Sequence, residues 1–350
     1  MVKLLKIRFI QDKENWDKVI RDFVIYDVYY TYEYCTSAAR LEEGQAVLAY
    51  YLNDRGSVIY PFILRNIKSE IGERLFDIVT PYGYGGPLLI GKQDVLREFK
   101  SKFHNYCIKK NIVTEVIRLH PLLKNSEYLG DYCELQYIRK TTAVDLTTEL
   151  LGIKGKYSST NKRNIKRANK NGLTPVSVKK SDDNVKIFSK LYYGTMDRKQ
   201  ASSFYYFDYE FIEELLQDTK FSKTQLLFVY HEEKVISALI MFTTDKFAHY
   251  HLGASDGQYL SLRPNNLLFD FMIECAKEEG CEILHLGGGY QEDDNLFRYK
   301  TSFTNNINYD FYIGKNVFNQ ELYNQLIKSI GQNTKLKENY FPQYRGVNCK

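Results

Sequence analysis

The chain has 350 residues, 44% hydrophobic and 26% charged, with a formal net charge of +5. That balance is ordinary for a globular protein and excludes disordered, fibrous and collagen-like chains, while the length exceeds one hydrophobic core and predicts two domains. No stretch reaches the roughly 18 uncharged apolar residues that span a bilayer, and MVKLLKIRFIQDKENW has no small-residue cleavage site after its brief apolar run, so a cytoplasmic protein is expected.

LLKIRFI reads as a strand, and KENWDKVIRDF after it carries apolar residues at helical spacing. QAVLAYYL and SVIYPFIL are apolar runs separated by NDRG, a hairpin signal. FDIVTPYGYGGPLLI is a strand that breaks into a Gly/Pro loop from Pro81 to Pro87. DVLREFKSKFHNYCIKKN is an amphipathic helix, VTEVIRLHPLL a strand, and LQYIRKTTAVDL the last strand before a boundary near Asp145–Gly152. The second half repeats the plan. LTPVSVKK is a strand, VKIFSKLYYGTM and YEFIEELLQD are helices, and LLFVYHEEKVISALIMF is a hairpin turning at His231–Lys234. FAHYHLGAS is a strand, NNLLFDFMIECAKEEG a helix, CEILHLGGG a strand, NLFRYKTSF a short helix, and INYDFYIGK the closing strand. FNQELYNQLIKSI is a helical tail, expected to pack back on the first domain.

Both halves thus give hairpin, strand, broken loop, helix, strand, which predicts a fold-level duplication. A three-strand meander followed by a strand–helix–strand crossover makes a mixed sheet, parallel at its centre and covered by helices. The expectation is an α/β chain of two tandem domains, residues 1–148 and 149–315, with a cleft between them and a tail over 316–350.

The charge is local. KGKYSSTNKRNIKRANK, residues 154–170, holds seven Lys or Arg and no acid, so the rest of the chain carries −2. Ser158, Ser159 and Thr160 are candidate N-caps. Lys162, Lys166 and Lys170 recur every four residues with Arg163 and Arg167 beside them, which makes one helical face cationic. Such a face suits phosphates, of an RNA acceptor stem or of a nucleotide-sugar, or else is simply solvated. The six cysteines form no CxxC pair and no metal-ligand spacing, so reduced thiols are expected. His249 and His251 share a strand face, but no third ligand is identifiable and no metal is expected.

Five strings, PYGYGGPL (81–88), RLHPLL (118–123), NKRNIKRANKNGL (161–173), YYGTMDRKQA (192–201) and LHLGGGYQEDDNLFRYKTSF (284–303), resemble in order the Fem-type branch of the N-acetyltransferase (GNAT) superfamily. The resemblance implies a two-lobed cytoplasmic N-acyltransferase of cell-wall biogenesis, with no bound cofactor. Its donor would be an aminoacyl-tRNA and its acceptor an amine on a muropeptide or a small nucleotide-linked precursor. The helical coiled-coil arm of some Fem proteins is not evident. Acyl-CoA users of the superfamily place a Gly-rich loop before the long helix; here that position reads YLSLRPNNLLFDF, without glycine between Gly257 and Gly280. An acyl-CoA-dependent sugar N-acetyltransferase is the alternative, and a non-catalytic RNA- or nucleotide-binding protein is the rival of another class. A peripheral membrane contact also stays open.

Acyl transfer needs a deprotonated amine, a stabilised oxyanion and a served leaving group. Lys300 follows the strand LHLGGG at the carboxyl end where open α/β sheets place ligands, and the resemblance gives it the family's catalytic lysine position, with Tyr299 in place of the usual Phe. Glu292, Asp293 and Asp294 follow the glycines and are candidate proton acceptors, or else a solvated acidic loop. Gly287, Gly288 and Gly289 either admit substrate to the backbone or end a strand. The resemblance gives Arg198 the acceptor's phosphates, for which its planar fork is apt. Tyr82 and Tyr84 are candidate edges of a substrate loop.

Overall fold

A computed structural model of the chain describes residues 7–23, 25–72, 74–330, 337 and 340–346. In chain order its elements are β1 (Arg8–Ile10), α1 (Lys13–Arg21), α2 (Tyr32–Leu41), β2 (Gly44–Asn53), β3 (Gly56–Ile67), β4 (Leu75–Val79), β5 (Leu88–Gly91), α3 (Gln93–Lys109), β6 (Ile112–Arg118) and β7 (Glu134–Asp145). Then come α4 (Leu150–Gly155), α5 (Ser159–Lys170), β8 (Leu173–Val178), α6 (Asp182–Lys199), α7 (Tyr209–Leu215), β9 (Lys223–His231), β10 (Lys234–Thr243) and β11 (Phe247–Ser255). The last are α8 (Pro264–Glu278), β12 (Ile283–Gly288), α9 (Asn295–Thr301), β13 (Asn308–Val317) and α10 (Gln320–Ser329). The described residues fall into two compact units. Unit 1 holds those up to 138 and from 310 onward; unit 2 holds 139–309.

Local chemistry explains where the elements begin and turn. Asp12, Ser158, Ser181 and Asn319 cap α1, α5, α6 and α10, each side chain accepting a first-turn backbone N–H. NDRG turns β2 into β3 with Asn53 facing Gly56, and β9 turns into β10 with His231 facing Lys234. The part of LLKIRFI that precedes Ile7 lies outside the described residues.

Unit 1 orders its strands β1-β2-β3-β4-β6-β13, with β5 on β3; only β4 and β6 run parallel. Unit 2 orders them β8-β9-β10-β11-β12-β7, and only β11 and β12 run parallel. The same mixed α/β plan is built twice. Val47, Tyr60, Phe62, Phe99, Phe103 and Ile117 are buried in the core of unit 1. Leu227, Leu239, Met241, Met272, Ile273 and Leu284 are buried in that of unit 2.

Two features depart from the linear reading. YEYCTSAARL forms α2, whose buried face is Tyr34, Cys35, Ala38 and Ala39; small residues bury there without an obvious apolar stripe. The closing strands are also exchanged. β7 gives Thr141–Asp145 to unit 2, beside β12, and β13 gives Ile313–Val317 to unit 1, beside β6. After β13, α10 and Tyr344 cover Leu75 and Val113, and the Tyr344 hydroxyl donates to Asp77 at 3.1 Å.

Candidate active site

β11 and β12 pair only through Phe247–Ile283, Ala248–Leu284 and His249–His285. β11 then runs on to Ser255 while Gly287 and Gly288 of β12 turn to Thr142 and Thr141 of β7. The parting leaves a wedge, a cavity of about 280 Å³ lined by Tyr250, Gly253 and Ala254 of β11, Phe269 of α8, and Leu296 and Tyr299 of α9. The far end of β11 is held from α6. The Ser255 N–H donates to Thr195 Oγ1 at 2.9 Å, and its carbonyl accepts from Thr195 at 3.1 Å and from Arg198 Nη1 at 2.9 Å. Both strands are therefore anchored, yet the edge of β11 between them faces a cavity instead of a partner strand.

Lys300 lies next to this wedge, behind its lining residues Tyr250 and Tyr299. The residue is 6% exposed, and its Nζ donates to the Gly288 carbonyl at 2.7 Å and lies 5.3 Å from the centre of the Tyr250 ring. Burial, reinforced by the cations Lys199 and Arg139 and opposed by Asp294, lowers its pKa to about 7. A lysine so placed exchanges protons near neutrality, which suits acid–base work. Gly253 makes room for the ring beside it, since a Cβ there would meet the Tyr250 hydroxyl at 2.1 Å. Tyr299 lines the wedge with its hydroxyl shielded from water and without a hydrogen-bond partner among the described residues.

Residues 155–301 match the family described as an acetyltransferase (GNAT) domain. The crystal structure of FemX matches with a TM-score of 0.67 at 12% identity, covering 91% of this chain and 99% of that one. The chain thus shares the fold of FemX, and residues 155–301 of it are similar to a GNAT domain. The structure of L-PGS from Bacillus licheniformis matches at 0.57 and 11% identity over 91% and 95% of the two chains. The C-terminal domain of a putative lysylphosphatidylglycerol synthetase from Agrobacterium fabrum matches at 0.55 and 14% over 90% and 94%. No curated protein matches the sequence.

Within this Fem-like fold, unit 2 brings Lys300, Tyr299 and the end of β12 together. Asp294 caps α9 by accepting from Phe297 N at 2.8 Å, and it also accepts from Tyr290 N at 2.6 Å and Gln291 N at 3.1 Å. That carboxylate explains Gly289, where a Cβ would lie 2.0 Å from Asp294 Oδ1; Gly287 adopts φ +73° and Gly288 pairs with Thr141. Glu292 and Asp293 are exposed on the same loop, with Glu292 accepting the Lys140 N–H at 3.3 Å. Arg198 spends its fork on Ser255, its second nitrogen reaching Ser255 Oγ at 3.2 Å, and so holds β11 from within.

Tyr82 and Tyr84 belong to unit 1. The Tyr82 carbonyl accepts from Tyr34 Oη at 2.5 Å, and Tyr84 packs edge-on to Tyr29 and Phe311. Lys162, Arg163, Lys166, Arg167 and Lys170 are all exposed on α5. His249 packs on His285 at 5.5 Å and His251 on Phe242 at 4.3 Å, where burial pushes the His251 pKa down to about 3. The five described cysteines are buried and form no disulfide with one another, Cys349 lying outside the described residues. Among the described residues, no helix is long and apolar enough to cross a membrane. Sequence reading missed Tyr250, Lys199 and Arg139, each a lone residue on a different element. Only the alternation of FAHYHLG hinted that Tyr250 lies on the opposite face of its strand from the histidines.

Proposed function

We propose that the protein is an N-acyltransferase that moves an aminoacyl group from tRNA onto an amine of a cell-wall peptide or nucleotide-sugar precursor, with its chemistry beside Lys300. The observation that carries this reading is a buried lysine with a pKa lowered to about 7, held by the Gly288 carbonyl behind the Tyr250 ring that lines the wedge. The acyl chain enters the wedge as an extended segment and bonds to the free edge of β11, as peptides add to sheet edges. The acceptor amine attacks the carbonyl carbon, and the oxyanion forms beside the Lys300 ammonium. Collapse breaks the bond to the leaving oxygen or sulfur, which takes the proton of Lys300; the attacking amine gives up its own proton, and Glu292 and Asp293 are the acceptors we assign to it. Tyr299 donates its hydroxyl to the bound acyl group. The resemblance of the five strings to Fem-type sequences supports an aminoacyl donor, as does the stretch before α8. It is a tight turn over Gly257–Leu262 followed by Arg263 at φ +67° and Pro264, without the glycines that bring backbone amides to a pyrophosphate.

The test offers the purified protein a labelled aminoacyl-tRNA pool and labelled acetyl-CoA in parallel, each with nucleotide-linked muropeptide and amino-sugar acceptors. Label moving from tRNA to an amine supports the reading. Label moving only from acetyl-CoA replaces it with the sugar N-acetyltransferase alternative. Transfer from neither points to a different acyl donor or to the binding-protein reading. Whichever donor works, kcat should fall above about pH 7 as Lys300 loses its proton, and Lys300→Arg, which stays charged, should lose that limb.

A further inference from the structure

Helix α8 faces two cavities. Phe269 lines the wedge, whereas the next residue, Asp270, lines a separate cavity of about 670 Å³ bounded by α4 and α5. Its apolar lining is Leu151, Ile165 and the ring of Tyr157; its cationic wall is Lys162, Lys166 and Lys170. Leu151, at the first turn of α4, is 85% exposed. The fourth lysine at the cavity, Lys154, is committed to Asp270 at 3.0 Å and to Glu274, an arrangement that ties α4 to α8.

The cations of the wall are differently placed. Lys162 donates to the Gly155 carbonyl at 2.5 Å, whereas Lys166, Arg167 and Lys170 have no carboxylate partner among the described residues. Elsewhere on unit 2, Lys186, Lys223 and Lys234 each meet an acid, Asp182, Glu279 and Asp256. Five Lys and Arg on one twelve-residue helix without an acid repel one another at three- and four-residue spacing, so an anionic partner would stabilise the face.

The lining says which anion. Single-stranded nucleic acid is held by exposed aromatic rings beside cations, and here the one lining ring, Tyr157, is buried; a duplex RNA stem offers phosphates and 2′-hydroxyls but no apolar surface for the exposed Leu151. The accessible apolar surface is aliphatic and lies next to the lysines, the pairing that seats a segment at a lipid interface. We propose that the α4–α5 groove docks the protein on an anionic bilayer, Lys162, Lys166 and Lys170 meeting headgroup phosphates while Leu151 enters the acyl boundary. This docking site is separate from the wedge and does not depend on which acyl donor the wedge takes.

The test is co-sedimentation of the full chain with vesicles of phosphatidylcholine alone and of phosphatidylcholine mixed equally with phosphatidylglycerol. Binding to the anionic vesicles only, weakening as salt rises, is expected. Lys162→Ala, Lys166→Ala and Lys170→Ala together should weaken it roughly a hundredfold, about fivefold for each lysine. Leu151→Ser leaves the charge unchanged and should still weaken it roughly tenfold. All four positions are exposed or partnered only by backbone, and unchanged melting curves would show that the variants fold. The proposal is overturned if anionic vesicles do not bind, if they bind the triple variant as well as the wild type, or if Leu151→Ser has no effect. It is equally overturned if the lysine variants lose binding to a tRNA pool while keeping vesicle binding, which would make α5 an RNA-binding face.

Discussion

In unit 1 the two central parallel strands stay joined to their ends, and in unit 2 the corresponding strands part halfway. β4 and β6 pair as far as Val79–Val116, after which Thr80 N reaches the Val116 carbonyl and Gly85 N the Arg118 carbonyl at 2.7 Å. The loop between them is stitched in by Asn125, whose amide nitrogen donates to the Gly85 carbonyl and whose oxygen accepts the His120 N–H, both at 2.8 Å. In unit 2 the polar groups that could seal the gap are used at its far end instead, where Thr195 and Arg198 hold Ser255. One sheet plan thus yields a filled seam or an open wedge, depending on where a few side-chain hydrogen bonds fall.

The buried ionisable groups of the two units differ in the same sense. Unit 1 encloses Glu115, which accepts from Tyr132 Oη at 3.2 Å and Asn316 Nδ2 at 2.5 Å and is raised by burial to about 7. Unit 2 places Lys300 at the wedge, lowered to about 7. The largest effect that sharpens this contrast is on stability. Below about pH 7 the folded chain bears the full cost of a buried ammonium, so Lys300→Met should stabilise it there by an amount of order 4 kcal/mol. Between about pH 7 and 10 the unfolded lysine binds more protons than the folded one, so wild-type stability rises with pH and the variant's advantage shrinks. Chemical denaturation at pH 7 and pH 10 measures both.

The next effect is on the seam. Asn125→Ala leaves the Gly85 carbonyl and His120 N–H buried without partners and should cost about 3 kcal/mol, read by denaturation, with kcat unchanged. At most as large is Glu115→Gln. A carboxyl raised to about 7 binds more protons folded than unfolded, so wild-type stability falls as pH rises from about 4.5 to 7. Removing the charge should return up to about 3 kcal/mol at pH 8 and nothing at pH 4. The smallest effect is at Gly253→Ala, which must displace the Tyr250 ring and should lower kcat/KM about tenfold without changing stability by more than about 1 kcal/mol.

Much of the plan is legible in the chain because its signals are local. The turns at Asn53–Gly56 and His231–Lys234, the amphipathic α3 and α8, and the cap at Ser158 all arise within a few residues. What is not legible depends on distant partners. INYDFYIGK reads as the end of its own repeat, yet its pairing with β6 places Ile313–Val317 in unit 1. The string LHLGGG marks the end of a strand, but only the structure shows that Asp294 crowds one of its glycines and that Lys300 reaches another's carbonyl. Nothing in the sequence around Arg198, to which the resemblance gives the acceptor's phosphates, announces its bond to Ser255, fifty-seven residues away.

The measurement that tests the account most directly is single-turnover transfer at pH 7 by wild type and Lys300→Met, using whichever labelled donor the wild type accepts, beside a melting curve of each. The account predicts a rate lowered by about 10²–10³, as for loss of one oxyanion donor, in a protein that melts at a higher temperature than the wild type. A Lys300→Met protein that transfers at the wild-type rate would contradict it, and the wedge of unit 2 would no longer be the place where the acyl group moves.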